Sequence, residues 1–365
     1  MTILKSTYPY TKALCLLAIL LITLSPGRVL GAVILVYHHV STETPASTSL
    51  SPEQFKKHLT YLRENEFTVI PLNQLIESLK AGKAVADKSV VITFDDGYTD
   101  IFEQAHPILK AFNYPYTLFI NPGKVAKNKS GYLTWEQLQK MSEDGVLIAN
   151  HGLHHDSLIK TPKGVSATSW AAQKIDELQQ SENILADKLG QSWKYFALPY
   201  GEYTADIQQT LQALGYVVFT QQSGAVGVNT DLTAVPRFPA SQPYDKIKPL
   251  ATKLNALPFN VAAQSQRSIT IVEPNTSLEQ LDTHIALSVE DFYRSGMNCF
   301  VSGQGQVDIA WAKDNKSFNL LIKNPLPSGR VRANCTALSI ANPGRYYWYS
   351  RPWFVKKSDG SWYKD

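Results

Sequence analysis

Short apolar runs alternate, between Ala32 and Thr220, with segments whose apolar residues recur every three or four positions. The runs have the length and β-branched content of buried strands, and the periodic segments are typical of amphipathic helices. Seven such strand–helix units predict parallel strands joined by right-handed crossovers, and hence an α/β fold. The periodicity alone fits a (β/α) barrel and an open doubly wound sheet equally well.

Capping residues mark several of the helix boundaries. Ser51-Pro52-Glu53-Gln54 combines a capping serine, a first-turn proline and a glutamine three residues after the cap. Thr134-Trp135-Glu136-Gln137 again places a cap three residues before a glutamine. The longest helix is predicted over Ser169–Leu189, because its apolar residues form one stripe and Gly190 follows as a stop signal.

The pattern changes between residues 258 and 268. We therefore predict a main domain over residues 32–262 and a small β-rich accessory domain over residues 266–365. Within the second segment a helix is predicted over Ser277–Tyr293, followed by short strands.

The first 31 residues predict a signal peptide, because Lys5 and Lys12 precede an apolar core, Ala13–Leu24, that is too short to span a membrane. The alternative is an uncleaved N-terminal anchor. Export would place the protein in the periplasm or outside the cell, with no stable membrane span after cleavage. In that oxidising setting Cys299 and Cys335 predict a disulfide, and two separate buried thiols are the alternative.

Composition and charge narrow the range of partners. The chain has 365 residues, of which 44% are hydrophobic and 18% charged, so it is globular and long enough for two domains. The net charge is only +4, and no basic run is interleaved with aromatic residues. We therefore expect no nucleic-acid partner. Nothing in the pattern predicts an oligomeric state.

Two acids stand side by side where a predicted strand ends. Ser89–Ile92 reads as a buried strand, and Thr93-Phe94-Asp95-Asp96-Gly97 follows it. Ligands bind at this end of the strands in α/β folds, where the turn can bring both carboxylates to one cavity. The alternative is a simple Asp-Gly turn.

A second strand end carries histidines. Val146–Asn150 reads as a buried strand, and His151-Gly152-Leu153-His154-His155 follows. The four-residue spacing of His151 and His155 is typical of metal-binding pairs. Two imidazoles and one carboxylate can hold a catalytic zinc and leave one position open for water. A hydrogen-bonded structural role is the alternative for any single histidine.

These motifs resemble those of the polysaccharide deacetylases, the NodB-homology group (carbohydrate esterase family four). The first motif is matched without change at residues 93–97, and the second at His151 and His155, with Gly152 in the hydroxyl position. The third corresponds to Ala197-Leu198-Pro199-Tyr200-Gly201. This form of the third motif, with the early Tyr37-His38-His39, is most similar to the deacetylases of biofilm poly-N-acetylglucosamine. The resemblance covers roughly residues 33–260.

The resemblance implies a distorted (β/α) barrel of about seven parallel strands, followed by the β-rich segment. It implies an exported, metal-dependent N-deacetylase that converts N-acetyl groups of a β-linked N-acetylglucosamine polymer to amine and acetate. It assigns Asp96, His151 and His155 as metal ligands, Asp95 as general base and the Tyr200 backbone N–H as oxyanion donor. The metal would be divalent, with Zn²⁺ preferred and Co²⁺ or Ni²⁺ as alternatives.

The chain departs from the family pattern at two roles. Ala197 replaces the arginine that orients the base, and Arg237 is our candidate substitute, with a surface ion pair as the alternative. The late histidine that acts as general acid is absent. We expect His38, at the end of the first strand, to serve as proton donor or orienting partner, with a structural histidine as the alternative.

Two other functions follow from these departures. One is a catalytically impaired, sugar-binding relative of the deacetylases. The other is an esterase or amidase acting on O-acetylated sugars or peptidoglycan. We also expect residues from about 266 onward not to contribute to the metal site.

Overall fold

The computed structural model describes residues 31–127, 129–262, 270–287 and 291–364. The predicted signal peptide, apart from Gly31, lies outside the described residues. No helix in the described ranges is both long enough and apolar enough to cross a membrane.

The strands up to residue 239 are β1 (Ala32–Tyr37), β2 (His39–Val40), β3 (Ser49–Leu50), β4 (Thr68–Val69), β5 (Ser89–Phe94), β6 (Thr117–Ile120), β7 (Leu147–Asn150), β8 (Tyr195–Ala197), β9 (Val217–Phe219) and β10 (Phe238–Pro239). All but β2 and β3 belong to one parallel sheet of order β10-β1-β5-β6-β7-β8-β9, with β4 beside β5. The strands follow one another in chain order and the last returns beside the first. This is barrel topology, so the predicted distorted (β/α) barrel is confirmed.

The helices are α1 (Pro52–Glu64), α2 (Leu72–Lys80), α3 (His106–Phe112), α4 (Pro122–Ala126), α5 (Trp135–Glu143), α6 (Ala167–Leu189), α7 (Ala205–Ala213) and α8 (Ile247–Leu254), with a π-helical turn at Ile101–Ala105. The Ser51 hydroxyl accepts the Gln54 N–H, and Thr134 and Gln137 form a capping box, as predicted. The long helix α6 begins two residues before its predicted start, because Ser166 caps it.

Both faces of the parallel sheet are buried. In β5, for example, Val90, Ile92 and Phe94 pack into one apolar cluster, while Val91 packs into another. Successive strand residues point to opposite faces, so a strand covered on both sides reads as a continuous apolar run. The strands can therefore be recognised in the sequence from their apolar residues alone.

The remaining strands are β11 (Ala256–Pro258), β12 (Ile271–Val272), β13 (His284–Ala286), β14 (Asn298–Val301), β15 (Gly305–Trp311), β16 (Ser317–Leu321), β17 (Gly329–Leu338) and β18 (Tyr346–Val355). They form a second, largely antiparallel sheet of order β11-β18-β17-β14-β15-β16-β13, with β12 beside β18. Cys299 and Cys335 are paired across β14 and β17 and form the predicted disulfide.

The helix predicted over residues 277–293 is wrong for the residues described there. Leu278–Gln280 forms a single 3-10 turn, and His284–Ala286 is strand β13. Ile285 lies opposite Phe318 of β16 and is fully buried. Burial against a distant strand therefore overrides the local helical spacing.

Candidate active site

The carboxyl ends of β5 and β7 lie on either side of β6, so the two chemical motifs meet at one rim of the sheet. Asp96 has φ 73° and Gly97 φ 75°. This left-handed turn bends the chain directly after the strand. A side chain at position 97 would place its Cβ 2.9 Å from Ile120, so the turn requires glycine.

Asp96, His151 and His155 form a cluster whose nearest donor atoms all lie within 4.8 Å of one another. The Asp96 Oδ1 atom is 3.1 Å from His155 Nε2 and 3.4 Å from His151 Nε2. His151 Nδ1 lies 2.8 Å from the carbonyl oxygen of Ala197. A carbonyl can only accept, so Nδ1 carries the proton and Nε2 presents its lone pair to the cluster.

Two buried atoms of this cluster have no hydrogen-bond partner in the described part of the chain: Asp96 Oδ1 and His151 Nε2. Buried polar atoms are nearly always satisfied, and both of these are electron-pair donors pointing at one small space. A divalent cation would satisfy both, and the His₂Asp donor set suits zinc. The residues therefore fit a metal ion.

Asp96 and His155 are held in the protonation states that bind a metal ion. Burial would raise the pKa of Asp96, but the close imidazoles of His151 and His155 hold it well below its usual value. Burial lowers the pKa of His155, which keeps its imidazole neutral. An ionised carboxylate and neutral imidazoles are the forms that bind metals.

Asp95 is fully buried against Arg237, which is itself fully buried. The guanidinium donates two hydrogen bonds of 2.7 Å, one to each carboxylate oxygen. It also donates to Thr93 Oγ1 and to the Thr220 carbonyl oxygen. Burial opposes ionisation of Asp95, but Arg237, together with the nearby His151 and His38, lowers its pKa overall. Arg237 thus lies where the sequence predicted a partner for the base, and its burial rules out a surface ion pair.

His38 and His39 diverge from the end of β1. His39 stacks on Tyr98 at 3.7 Å between ring centroids and pairs with Asp100 at 2.6 Å. His38 is half-buried and close enough to Asp96 and Asp95 for their charges to act on it. Burial, the largest influence, lowers the pKa of His38. His38 thus lies beside the cluster, whereas the His39 ring is held by Tyr98 and Asp100.

Tyr200 reaches the cluster from the turn after β8. It has φ 61°, a left-handed conformation, and its ring lies 4.6 Å from the His155 ring in an edge-on contact. His154 turns away and is exposed, with its ring against Gly123 of α4. All seven predicted site residues, His38 included, thus lie at this rim, and His154 is left outside.

Two residues near this rim, Glu202 and Arg330, were not predicted from the sequence. Glu202, two residues after Tyr200, is fully buried, and Arg330 of β17 lies 5.5 Å from the Tyr200 ring. A residue beyond 266 thus contacts Tyr200, whereas the metal cluster itself consists of Asp96, His151 and His155. That residues beyond 266 do not contribute to the metal site stays a prediction. An acid directly after the third motif was a visible signal for Glu202, whereas nothing local could have indicated Arg330.

Known proteins are similar to the segment of the chain that carries these site residues. Residues 82–219 match the family model for polysaccharide deacetylase. The chain contains a polysaccharide deacetylase domain. The matched segment includes the Asp95 and Asp96 motif, both clustered histidines and the Tyr200 turn.

Individual relatives of this deacetylase domain agree. The poly-beta-1,6-N-acetyl-D-glucosamine N-deacetylase of Staphylococcus aureus (strain NCTC 8325 / PS 47) is 28% identical over 210 residues, which are 56% of this chain and 71% of that protein. IcaB from Ammonifex degensii superposes with a TM-score of 0.54 at 27% identity, covering 62% of this chain and 98% of that one.

The deacetylase PplD of Streptococcus pyogenes, whose structure holds acetate, superposes with a TM-score of 0.55 at 22% identity and covers 61% of this chain and 98% of that one. At this identity the likeness supports the fold alone. In both superpositions the solved chain is covered almost completely, and more than a third of the present chain lies outside the match.

Proposed function

We propose that the protein is an exported, metal-dependent polysaccharide N-deacetylase that removes acetate from a β-linked N-acetylglucosamine polymer. The observation that carries the proposal is the Asp96–His151–His155 cluster beside the buried Asp95–Arg237 pair. The name of the S. aureus relative supports a poly-β-1,6-N-acetylglucosamine substrate.

Asp96, His151 and His155 would hold the metal, with Zn²⁺ preferred and Co²⁺ or Ni²⁺ as alternatives. A bound divalent ion would supply Lewis-acid activation of water and polarisation of the amide carbonyl. His151 donates a hydrogen bond from Nδ1 to the Ala197 carbonyl oxygen. This bond fixes the tautomer in which Nε2 can bind the metal.

Asp95 would accept the proton of the attacking water. Arg237 bonds both of its oxygens, which fixes the plane of the carboxylate and keeps it ionised. Each oxygen has a second lone pair, so the bonded carboxylate retains capacity to take a proton.

Tyr200 and His38 would complete the reaction. The Tyr200 backbone N–H would stabilise the negative charge that develops on the carbonyl oxygen. His38 would form a hydrogen bond with the leaving nitrogen. It would either donate the proton that the amine needs to depart or orient another group that donates this proton.

Two further parts of the proposal concern the rest of the chain. The predicted signal peptide over residues 1–31 would direct export to the periplasm or beyond. The Cys299–Cys335 disulfide supports an oxidising compartment. Residues 32–262 would form the catalytic domain and residues 266–365 the accessory domain.

The test is acetate release from N-acetylglucosamine oligomers with β-1,6 links by the purified protein, before and after EDTA and after return of Zn²⁺. We expect release that EDTA abolishes and Zn²⁺ restores. Release only from O-acetylated sugars or from peptidoglycan would identify the esterase or amidase alternative. Binding of the oligomers without release would identify a sugar-binding protein.

A further inference from the structure

A third buried carboxylate, besides Asp95 and Asp96, follows the Tyr200 turn. Glu202 is fully buried and accepts hydrogen bonds of 2.6 Å from Ser157 Oγ and from the Tyr363 hydroxyl. None of the roles proposed above uses it. It lies two residues after Tyr200, whose ring contacts His155.

Two cations connect Glu202 to the Tyr200 ring. Lys160 Nζ lies 3.3 Å from Glu202 Oε1, and Arg330 Nη1 lies 3.6 Å from the same atom. The same Lys160 Nζ is 5.3 Å from the centre of the Tyr200 ring, and the Arg330 guanidinium carbon is 5.5 Å from it. Cations at this distance are attracted to an aromatic face. We call Glu202, Ser157, Lys160, Arg330 and Tyr363 the Glu202 cluster.

The Glu202 cluster joins distant parts of the chain. Ser157 and Lys160 follow the histidine motif, whereas Arg330 lies on β17 and Tyr363 in the C-terminal tail, 161 residues from Glu202. Arg330 and Tyr363 lie far beyond residues 82–219, which match the deacetylase family model. The contacts at Tyr200 are therefore supplied partly by a segment outside that match.

We propose that Arg330 and Tyr363 are positioning residues that act through Glu202 and Tyr200, so that the second sheet completes the active site. This inference rests on the proposed deacetylase function. A non-glycine residue at φ 61° is strained, and this conformation persists only where surrounding contacts enforce it. The Glu202 cluster provides those contacts, and through them it fixes both the Tyr200 ring against His155 and the Tyr200 N–H.

If Arg330 only held the second sheet against the barrel, its loss would affect stability and not the active site. The second sheet also contacts the barrel through Arg345, which pairs with Asp87 at 2.7 Å near the amino end of β5. Both arginines join the second sheet to a carboxylate of the barrel, but only Arg330 lies at the Tyr200 rim. Arg345→Met is therefore a matched control for Arg330→Met.

The experiment measures kcat, KM, zinc content and thermal midpoint for Arg330→Met, Arg330→Lys and Arg345→Met in the full chain. We expect kcat to fall about tenfold in Arg330→Met, because small misplacements of catalytic groups have effects of this size. Zinc content should be unchanged, and Arg330→Lys should recover part of the rate. Arg345→Met should lower the thermal midpoint and leave kcat unchanged.

A double variant tests whether the effect passes through Tyr200. Asparagine tolerates the left-handed conformation and has no ring, so Tyr200→Asn removes the contact with little backbone strain. Adding Arg330→Met to Tyr200→Asn should then cost no further kcat. Equal losses in Arg330→Met and Arg345→Met, or independent losses in the double variant, would overturn the inference.

A readout without turnover separates this inference from the proposed function. The Tyr200 ring should shift the NMR signal of the His155 Hε1 proton by its ring current, because the two rings are 4.6 Å apart. Arg330→Met should change this shift, and Arg345→Met should not. If no substrate releases acetate, the proposed function fails and the NMR result still decides the positioning role. An unchanged His155 signal in Arg330→Met would refute it.

Discussion

Each end of the parallel sheet carries a histidine–aspartate cluster, and the two clusters differ in whether their polar atoms are satisfied. At the amino end, His106 Nδ1 is 2.8 Å from the Tyr116 hydroxyl and Nε2 is 3.0 Å from Asp144. At the carboxyl end, Asp96 Oδ1 and His151 Nε2 are buried and have no hydrogen-bond partner in the described ranges.

The comparison separates a structural cluster from a candidate metal site. Both contain at least one buried histidine beside a carboxylate, so residue type alone does not distinguish them. In the His106 cluster both ring nitrogens of His106 have hydrogen-bond partners, and Lys110 lies 3.0 Å from Asp144. The Asp96 cluster leaves several lone pairs converging on one space. Unsatisfied, convergent lone pairs mark the end of the sheet where a cation would bind.

The largest expected effect is that of His155→Ala set against His106→Ala. Removing a ligand should weaken zinc binding by more than about 100-fold and abolish acetate release. His106→Ala should keep the zinc and lower the free energy of unfolding by about 1–3 kcal/mol, because two buried hydrogen bonds are lost. Elemental analysis and denaturant titration measure both. Full zinc content in His155→Ala would remove the distinction between the clusters.

Asp95→Asn tests the second carboxylate of the active end. Asparagine keeps the shape but accepts a proton far less readily, so kcat should fall by about 10²–10⁴ while zinc content stays the same. Asp144→Asn, the corresponding change at the other end, should leave kcat unaltered. A variant at position 95 that keeps kcat within a factor of about three would rule out the base role.

His38→Gln should have a smaller effect, because it alters a group beside the cluster and leaves the base in place. We expect kcat to fall about tenfold with unchanged zinc content and thermal midpoint. His39→Gln is the control, since the His39 ring pairs with Asp100 and stacks on Tyr98. Equal kcat in the two variants would mean that His38 has no part in the reaction.

The smallest effect concerns acid stability at the amino end. Hydrogen bonds from Lys110 and His106 lower the pKa of Asp144 to about 2. A carboxyl whose folded pKa is depressed stabilises the fold above its unfolded pKa, about 3.9, and loses that contribution as the pH falls toward the folded value.

Wild type should therefore be more stable than Asp144→Asn at pH 7, and the difference should shrink between about pH 4 and pH 2. Urea midpoints across this range measure it. Glu143→Gln is the control, because its ion pair with Lys140 is exposed and 3.7 Å long. A difference that stays constant down to pH 2 would contradict the pKa assigned to Asp144.

Local patterns predicted much of the barrel and the motifs at its rim. Strands covered on both faces appear as apolar runs, and capping residues such as Ser51 and Thr134 act within one turn. The positions of Asp96 and His151 follow from the rule that parallel strands end at one rim. These features depend on neighbours in sequence.

The remaining features depend on pairings across the chain. His58 of α1 is fully buried, because the Tyr37 hydroxyl and the Asp245 carbonyl, both far away in sequence, satisfy its ring. The strand at His284–Ala286 forms only because β16 pairs with it. Arg330 reaches Tyr200 from another sheet. No local periodicity encodes such contacts.

The Asp95–Arg237 pair has a consequence for how the protein matures. Its two members are 142 residues apart, so the contact closes only when β10 has been synthesised and has taken its place beside β1. A nascent chain that ends before residue 237 already contains Asp96, His151 and His155. In it Asp95 has no counter-cation, and a carboxylate buried alone would take up a proton. Metal-binding capacity should therefore appear during synthesis earlier than a competent base, and hydrolytic activity should arise only with the closing strand.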